Sequence, residues 1–260
     1  MLIFHSYGFF IGLGIVAGLL VVEKVKEKFP DTRYPMPVNY LLFWLVIFGL
    51  IGARLYHVID YWQYYSKNPI EIFYLWQGGM GIYGAIAGGF VGLWGFAIVA
   101  CYKSSTKKNF RKLFNCSIPK LLNYADLAAF GLPVAQAIGR LGNYFNQELY
   151  GLPTNLPWGI YISLENRLPG YEGFSYFQPL FAFEAVWNII IFLILITIIK
   201  TVKRPKPGIF FFTYLGLYGF GRFWLEFLRI NPWEILGINT AQGISLGLVM
   251  IGLIGLIRRI

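Results

Sequence analysis

Charge is scarce in this chain. Only 13% of its 260 residues are Asp, Glu, Lys or Arg, and two are histidine. Set against 57% hydrophobic residues and a mean hydropathy of +0.58, that scarcity excludes an ordinary soluble domain. Cysteine is almost missing as well. Cys101 and Cys116 lack metal-ligand spacing, which excludes a zinc site and a disulfide-rich scaffold, and they read as plain thiols on a reducing face. No GxSxG elbow, HExxH helix, P-loop or His/Cys cluster occurs, so no metal, cofactor or familiar nucleophile is implied. Period-two alternation is absent, which argues against a transmembrane barrel. No internal repeat is visible, which disfavours an inverted-repeat transporter.

What is present is a series of long apolar runs. They fall at about Leu2–Val22, Val38–Ile59, Gly79–Cys101, Tyr124–Phe145, Gln178–Ile199, Gly208–Phe227 and Thr240–Ile257. Each is long enough to cross a hydrocarbon core of about 30 Å, which takes about 20 helical residues. The expected fold is therefore an all-α polytopic membrane protein of about seven transmembrane helices, a single catalytic domain over residues 1–260. Sixteen of the 22 Lys and Arg residues lie in one alternate set of loops and the C-terminal end; three lie in the opposite set. The positive-inside rule then puts the N-terminus outside and the C-terminus in the cytoplasm. The net charge of +10 is accounted for by these loops, with no nucleic-acid partner needed. The first run is followed, not preceded, by Lys24, Lys26 and Lys28, so it reads as a retained helix, not a cleaved signal.

That orientation sorts the polar residues by depth. Arg54, Arg140 and Arg222 lie toward the outer ends of their spans, and His5, Tyr7, Tyr83, Gln178 and Glu184 near the outer beginnings of theirs. An arginine inside a span is costly unless paired or hydrated, so it signals function by default, with headgroup snorkelling as the plain alternative. Three arginines against Glu148, Glu184 and Glu226 suggest a site for an anion delivered from the outer leaflet. Arg222 and Glu226 are four apart on one helix face, which suits either an ion pair or a direct role. Arg54, His57 and Asp60 can share a face, and glycines around Tyr83 leave its hydroxyl approachable. Gly8/Gly12, Gly84/Gly88/Gly92 and Gly243/Gly247 are spaced for close helix packing. Pro133 and Pro179 are placed to free backbone carbonyls locally. The stretch at about 150–177, with three prolines, reads as a long external loop suited to a lid or docking surface.

The most distinctive stretch is Gly139–Gly151, GRLGNYFNQELYG, which closes an apolar run with Arg140, Asn143, Asn146 and Glu148 close together. With it, HSYG, IGARLYHV, QGGMGIYGA, FQPLFAFE and YGFGRFWLEFLR occur in order. On these motifs the chain resembles the bacterial prolipoprotein diacylglyceryl transferase family along nearly its whole length. The resemblance implies transfer of the diacylglyceryl group of phosphatidylglycerol to the lipobox cysteine thiol of preprolipoproteins, recognised by their signal peptides. The products would be a thioether and glycerol 1-phosphate, made in the bacterial plasma membrane without a cofactor. By position in the family motifs, Arg140, Glu148, Tyr83, Arg222, Glu226 and Tyr7 are the expected catalytic residues. Asn143, Asn146, Gly151, Arg54, His57, Gln178 and Glu184 join Arg140 and Arg222 as expected substrate contacts. Tyr83 stands where many members have a histidine proposed as base, leaving Glu148, Tyr83 and His57 as candidates. Gln178 replaces a histidine of some members, and Phe183 a usual tyrosine. A lipid or anion transporter and a lipid-binding relative without transferase activity are the competing readings.

Overall fold

The computed structural model describes residues 6–30, 33–74, 78–104, 110–232, 234–235 and 237–259. The described residues are mostly helical: α1 Ser6–Lys26, α2 Val38–Asp60, α3 Trp62–Tyr65, α4 Ile82–Ser104, α5 Phe110–Phe145, α6 Leu180–Thr201, α7 Ile209–Leu225 and α8 Thr240–Ile257. Two-residue strands form two antiparallel pairs, β1 Ile160–Tyr161 with β2 Tyr176–Phe177, and β3 Glu234–Ile235 with β4 Ile238–Asn239. Among the described residues, six helices are long and apolar enough to cross a membrane. This is a multi-pass all-α membrane protein.

Two expectations about the spans change. The run expected at Gly208–Phe227 is the 17-residue α7, followed by a 3-10 turn at Glu226–Leu228, and falls short of the other six by length. Conversely, much of the expected basic loop before Tyr124 is helix, because α5 starts at Phe110 and runs for 36 residues. Basic residues lower the hydropathy of its first turns while Ile118, Leu121 and Leu122 keep a helical apolar spacing. Pro133 is accommodated within this helix.

The chain divides into two compact units, Lys26–Ala125 and the remainder, Met1–Val25 with Asp126–Ile260. In the first, α2 packs on α4 through glycines. A Cβ at Gly88 or Gly92 would strike backbone oxygens of Phe48 or Trp44, and one at Gly52 would strike the carbonyl of Gly84. The spacing read from Gly84/Gly88/Gly92 thus marks a real close approach. Cys101 and Cys116 form a disulfide, Cα atoms 6.0 Å apart, joining the end of α4 to the start of α5. The expected free thiols are therefore corrected: ligand spacing says nothing about two helix ends folding back on each other.

In the second unit, Gly14 and Gly18 of α1 lie against the carbonyls of Ala135 and Gly131 on α5. α7 and α8 are packed through Gly219, Gly252 and Gly255, whereas Gly243 and Gly247 face open space among the described residues, as do Gly8 and Gly12. The expectation for those two pairs fails because spacing cannot say which face is turned to a neighbour. Two caps fix the ends of this helix pair. Asn239 accepts from the amides of Ala241 and Gln242 at the start of α8. The buried Asp126 accepts from Gly208 N at 2.7 Å and Phe211 N at 2.9 Å, capping α7.

Residues 146–179 fold into a small compact body together with residues 228–230. Tyr150, Ile162, Phe177 and Ile230 form its buried core. The Tyr150 hydroxyl donates to Asn166 O at 2.8 Å and accepts from Leu168 N at 2.7 Å, and burial pushes its pKa up. Gly151 pairs with Arg229 in an isolated bridge, and a Cβ there would lie 2.6 Å from Leu228 O.

Candidate active site

The last turn of α5 sets the geometry. Glu148 N donates to Asn143 O at 3.0 Å and Gln147 N to Tyr144 O at 3.1 Å, with Gln147 left-handed at φ 52°. This is a Schellman closure, with glutamine where glycine is usual. Leu149 is left-handed too, at φ 55°. Two non-glycine residues in that region carry conformational strain, about 1–3 kcal/mol each, held by surrounding contacts. One such hold is visible: Gln147 Oε1 accepts from Ser163 N at 2.8 Å, from the Ser163 hydroxyl, and from Asn166 Nδ2 at 3.1 Å. The closure returns Glu148 over Asn143, whose Nδ2 donates to Glu148 Oε1 at 2.9 Å; Asn146 Nδ2 donates to the same oxygen at 3.4 Å.

Asn143, itself buried, also accepts from Arg140 Nη1 at 3.0 Å. Arg140 Nη2 pairs with Glu184 of α6, whose other oxygen binds Arg222 Nη1 of α7 at 2.5 Å. Arg222 Nη2 pairs with Glu226 at 2.6 Å, and Arg229 reaches Glu226 at 3.4 Å. A continuous chain results: Arg140, Glu184, Arg222, Glu226, Arg229. Both carboxylates are buried, while the side chains of Arg140 and Arg222 stay 24% and 19% exposed. Among the described residues Arg140 Nε is buried without a hydrogen-bond partner, an N–H available to a further acceptor. The i,i+4 ion pair read from Arg222 and Glu226 is present, and Arg229 joins it through Glu226.

Two features of the second unit lay outside the sequence reading. Asn188, one turn beyond Glu184, donates to its carbonyl at 2.9 Å and shares a cavity of about 10 Å³ with Glu184, Tyr218 and Arg222. A lone asparagine in an apolar span was the available signal. An apolar groove of about 360 Å³ runs between α6 and α7 along Phe183, Val186, Phe220 and Trp224, next to Arg222.

The other expected residues are placed differently. Gln178 belongs to the loop body: Oε1 accepts from Trp158 Nε1 at 2.9 Å and Nε2 donates to Thr154 at 3.1 Å. Arg54, His57 and Tyr83 belong to the other unit. Arg54 is buried and donates to four backbone carbonyls, Ile72, Gly78, Gly79 and Glu71, so its planar fork ties down the segment before α4. His57 packs against Tyr61, ring centroids 4.6 Å apart, and Tyr83, half exposed, against Tyr56 at 5.9 Å. The Tyr7 side chain and His5 lie outside the described residues. Among the described residues no group of His, Cys, Asp and Glu is arranged to hold a metal.

An arginine pair clasped by one carboxylate, partly open and flanked by an apolar groove, suits a phosphate carried on a lipid. The family model for prolipoprotein diacylglyceryl transferase matches residues 1–258. The chain is 37% identical over 252 residues to the phosphatidylglycerol–prolipoprotein diacylglyceryl transferase of Gloeobacter violaceus, covering 96% of this chain and 86% of that one. It is 37% identical over 246 residues to the enzyme of that name from Fervidobacterium nodosum, 95% and 78% covered. For Synechocystis the figures are 34% over 255 residues, 96% and 83% covered. The protein belongs to the prolipoprotein diacylglyceryl transferase family.

Proposed function

We propose that this protein transfers the diacylglyceryl group of phosphatidylglycerol to a cysteine thiol of preprolipoproteins. The observation that carries the chemistry is the Arg140–Glu184–Arg222 clasp. Glu184 holds two guanidiniums side by side, with the donor phosphate received on their open edges and on Arg140 Nε. One acyl chain lies along the groove at Phe183 and Trp224. The thiolate sulfur attacks the glycerol carbon bearing the phosphate; the S–C bond forms as the C–O bond breaks, and glycerol 1-phosphate leaves. Negative charge grows on that phosphate oxygen, where the arginines stabilise it most.

The thiol proton needs an acceptor, since a free thiol with pKa about 8.5 is mostly protonated at neutral pH. We assign that role to Glu148. It is exposed, and Asn143 ties it directly to Arg140. Tyr83 and His57, the other candidates, pack against Tyr56 and Tyr61. Lipobox cysteines on signal peptides are the acceptors in this reading, and the bacterial plasma membrane is its location. The count of basic residues supports an outward-facing site and a cytoplasmic C-terminus. The Cys101–Cys116 disulfide weighs the other way, because that orientation puts it on the reducing side.

The test is to incubate purified protein in phosphatidylglycerol vesicles with a lipobox peptide and weigh the peptide. A mass gain of one diacylglyceryl group with release of glycerol phosphate is expected. Lipid binding with an unchanged peptide mass would leave only a binding protein. In the same assay Glu148→Gln should slow transfer by about 10²–10⁴-fold, the usual worth of positioned acid–base catalysis. A loss under tenfold would remove Glu148 as the base.

A further inference from the structure

At the other end of α7 from Arg222, ten residues away and so about 15 Å along the helix, a second groove of about 560 Å³ opens between α7 and α8. Lys206, Arg258 and Arg259 rim it, and Phe212, Ile251 and Ile254 form its wall. Arg259 is fixed in place. Its Nε donates to Pro207 O at 2.6 Å, its Nη1 to Gly255 O at 2.7 Å, and its guanidinium lies 4.4 Å from the centre of the Phe212 ring. Glycines make this possible: a Cβ at Gly208 would lie 2.8 Å from Arg259 Nε, and one at Gly255 would strike the Phe212 ring. Two of the three guanidinium nitrogens are thus committed to backbone, which holds the third, Nη2, in a set orientation beside exposed Lys206 and Arg258. The nearby amides at the start of α7 are taken by Asp126, so the helix terminus is not the anion site.

We propose that this groove binds one anionic phospholipid, its phosphate on Lys206, Arg258 and Arg259 and an acyl chain along Ile251 and Ile254. Charge complementarity selects the headgroup, since three cations ring the groove. The wall selects a lipid over a soluble anion. Ile251 and Ile254 are 51% and 47% exposed on a membrane-crossing helix, a surface that has no use for free phosphate but fits an acyl chain. The site is separate from the Arg140 clasp, and its occupant anchors the α7–α8 end without entering the reaction.

The test is local. The photoreactive residue p-benzoylphenylalanine replaces Ile254, or as control Leu193, an exposed residue of α6. Each protein is placed in vesicles of equal phosphatidylglycerol and phosphatidylcholine with matched chains, irradiated, and weighed with its adducts. At position 254 phosphatidylglycerol adducts should exceed phosphatidylcholine adducts by on the order of fivefold, while position 193 should follow the bulk ratio. Lys206→Gln with Arg258→Gln should return position 254 to the bulk ratio with transfer from phosphatidylglycerol unchanged. Bulk-ratio adducts at 254 in the unsubstituted protein, or enrichment that survives loss of both cations, would overturn the site. The outcome is independent of the transfer reading, because the probe reports contact and needs no acceptor peptide.

Discussion

Replacing Arg140 by lysine keeps the charge and removes the fork. In the structure Nη1 serves Asn143 at 3.0 Å, Nη2 serves Glu184, and Nε is buried with no partner among the described residues, left for an incoming oxygen. A single ammonium cannot meet those three directions at once. If it stays on Glu184, at least one charge-assisted bond to Asn143 or to phosphate is lost, worth about 1.5–3 kcal/mol. At about 1.4 kcal/mol per tenfold, transfer in Arg140→Lys should fall roughly ten- to a hundredfold. Arg140→Ala should abolish it. The structural cost of the alanine variant stays below the about 3–5 kcal/mol of a fully orphaned buried charge, because Arg222 still holds Glu184. The assay is thioether-peptide formation by purified variants in phosphatidylglycerol vesicles, with unfolding midpoints in parallel. A lysine variant at the wild-type rate would falsify the argument, since a snorkelling cation needs only charge and reach.

Gly151→Ala should loosen the loop body by about 1–3 kcal/mol, the usual cost of overpacking, because the new Cβ meets Leu228 O at 2.6 Å; unchanged protease resistance of residues 150–177 would contradict this. Cysteines placed at Glu165 and Lys203, both exposed, should be labelled from opposite sides of intact cells by an impermeant reagent. Labelling from one side would overturn the outward-facing site and side with the disulfide. The Glu172 carboxylate accepts from its own backbone amide and from Gly170 N, the latter at 2.9 and 3.1 Å, and these backbone bonds hold its carboxyl below the usual carboxylate range. A depressed pKa stabilises the fold above the ordinary carboxylate pKa, and that contribution disappears as pH falls through the folded value. The protection of the Gly170 amide against hydrogen exchange, taken relative to its intrinsic rate at each pH, should therefore fall below about pH 4, and a flat protection profile, or one that Glu172→Gln leaves intact, would contradict it.

The all-α class and six of the seven expected spans were readable because a membrane span is a statement about length and apolarity, both properties of local sequence. Packing was readable only in part. Gly84, Gly88 and Gly92 do lie against α2, but Gly243 and Gly247 share the spacing and face no close neighbour among the described residues, while Gly52, Gly219 and Gly252 carry close contacts without being singled out. Spacing shows that a face is bare; it does not show that a neighbour is there. The disulfide escaped for a related reason, since it depends on where α4 ends and α5 begins.

The site shows the same boundary between local and distant information. Arg140, Asn143 and Glu148 are neighbours in sequence, as are Arg222 and Glu226, and both groups were legible. What joins them is Glu184, 44 residues from Arg140 and 38 from Arg222, and only the fold of α5, α6 and α7 puts it between them. That position explains why a phosphate site should contain buried carboxylates. Two arginines brought together alone would repel and swing out to water. Glu184 and Glu226 fix three guanidiniums and leave the five-residue chain one positive charge in excess. The excess attracts an anion, and the prior fixing means the arginines need little reorganisation as charge develops on the leaving phosphate. Arg54 lacks that excess function despite its type: four carbonyls satisfy its fork, and it serves the segment it holds.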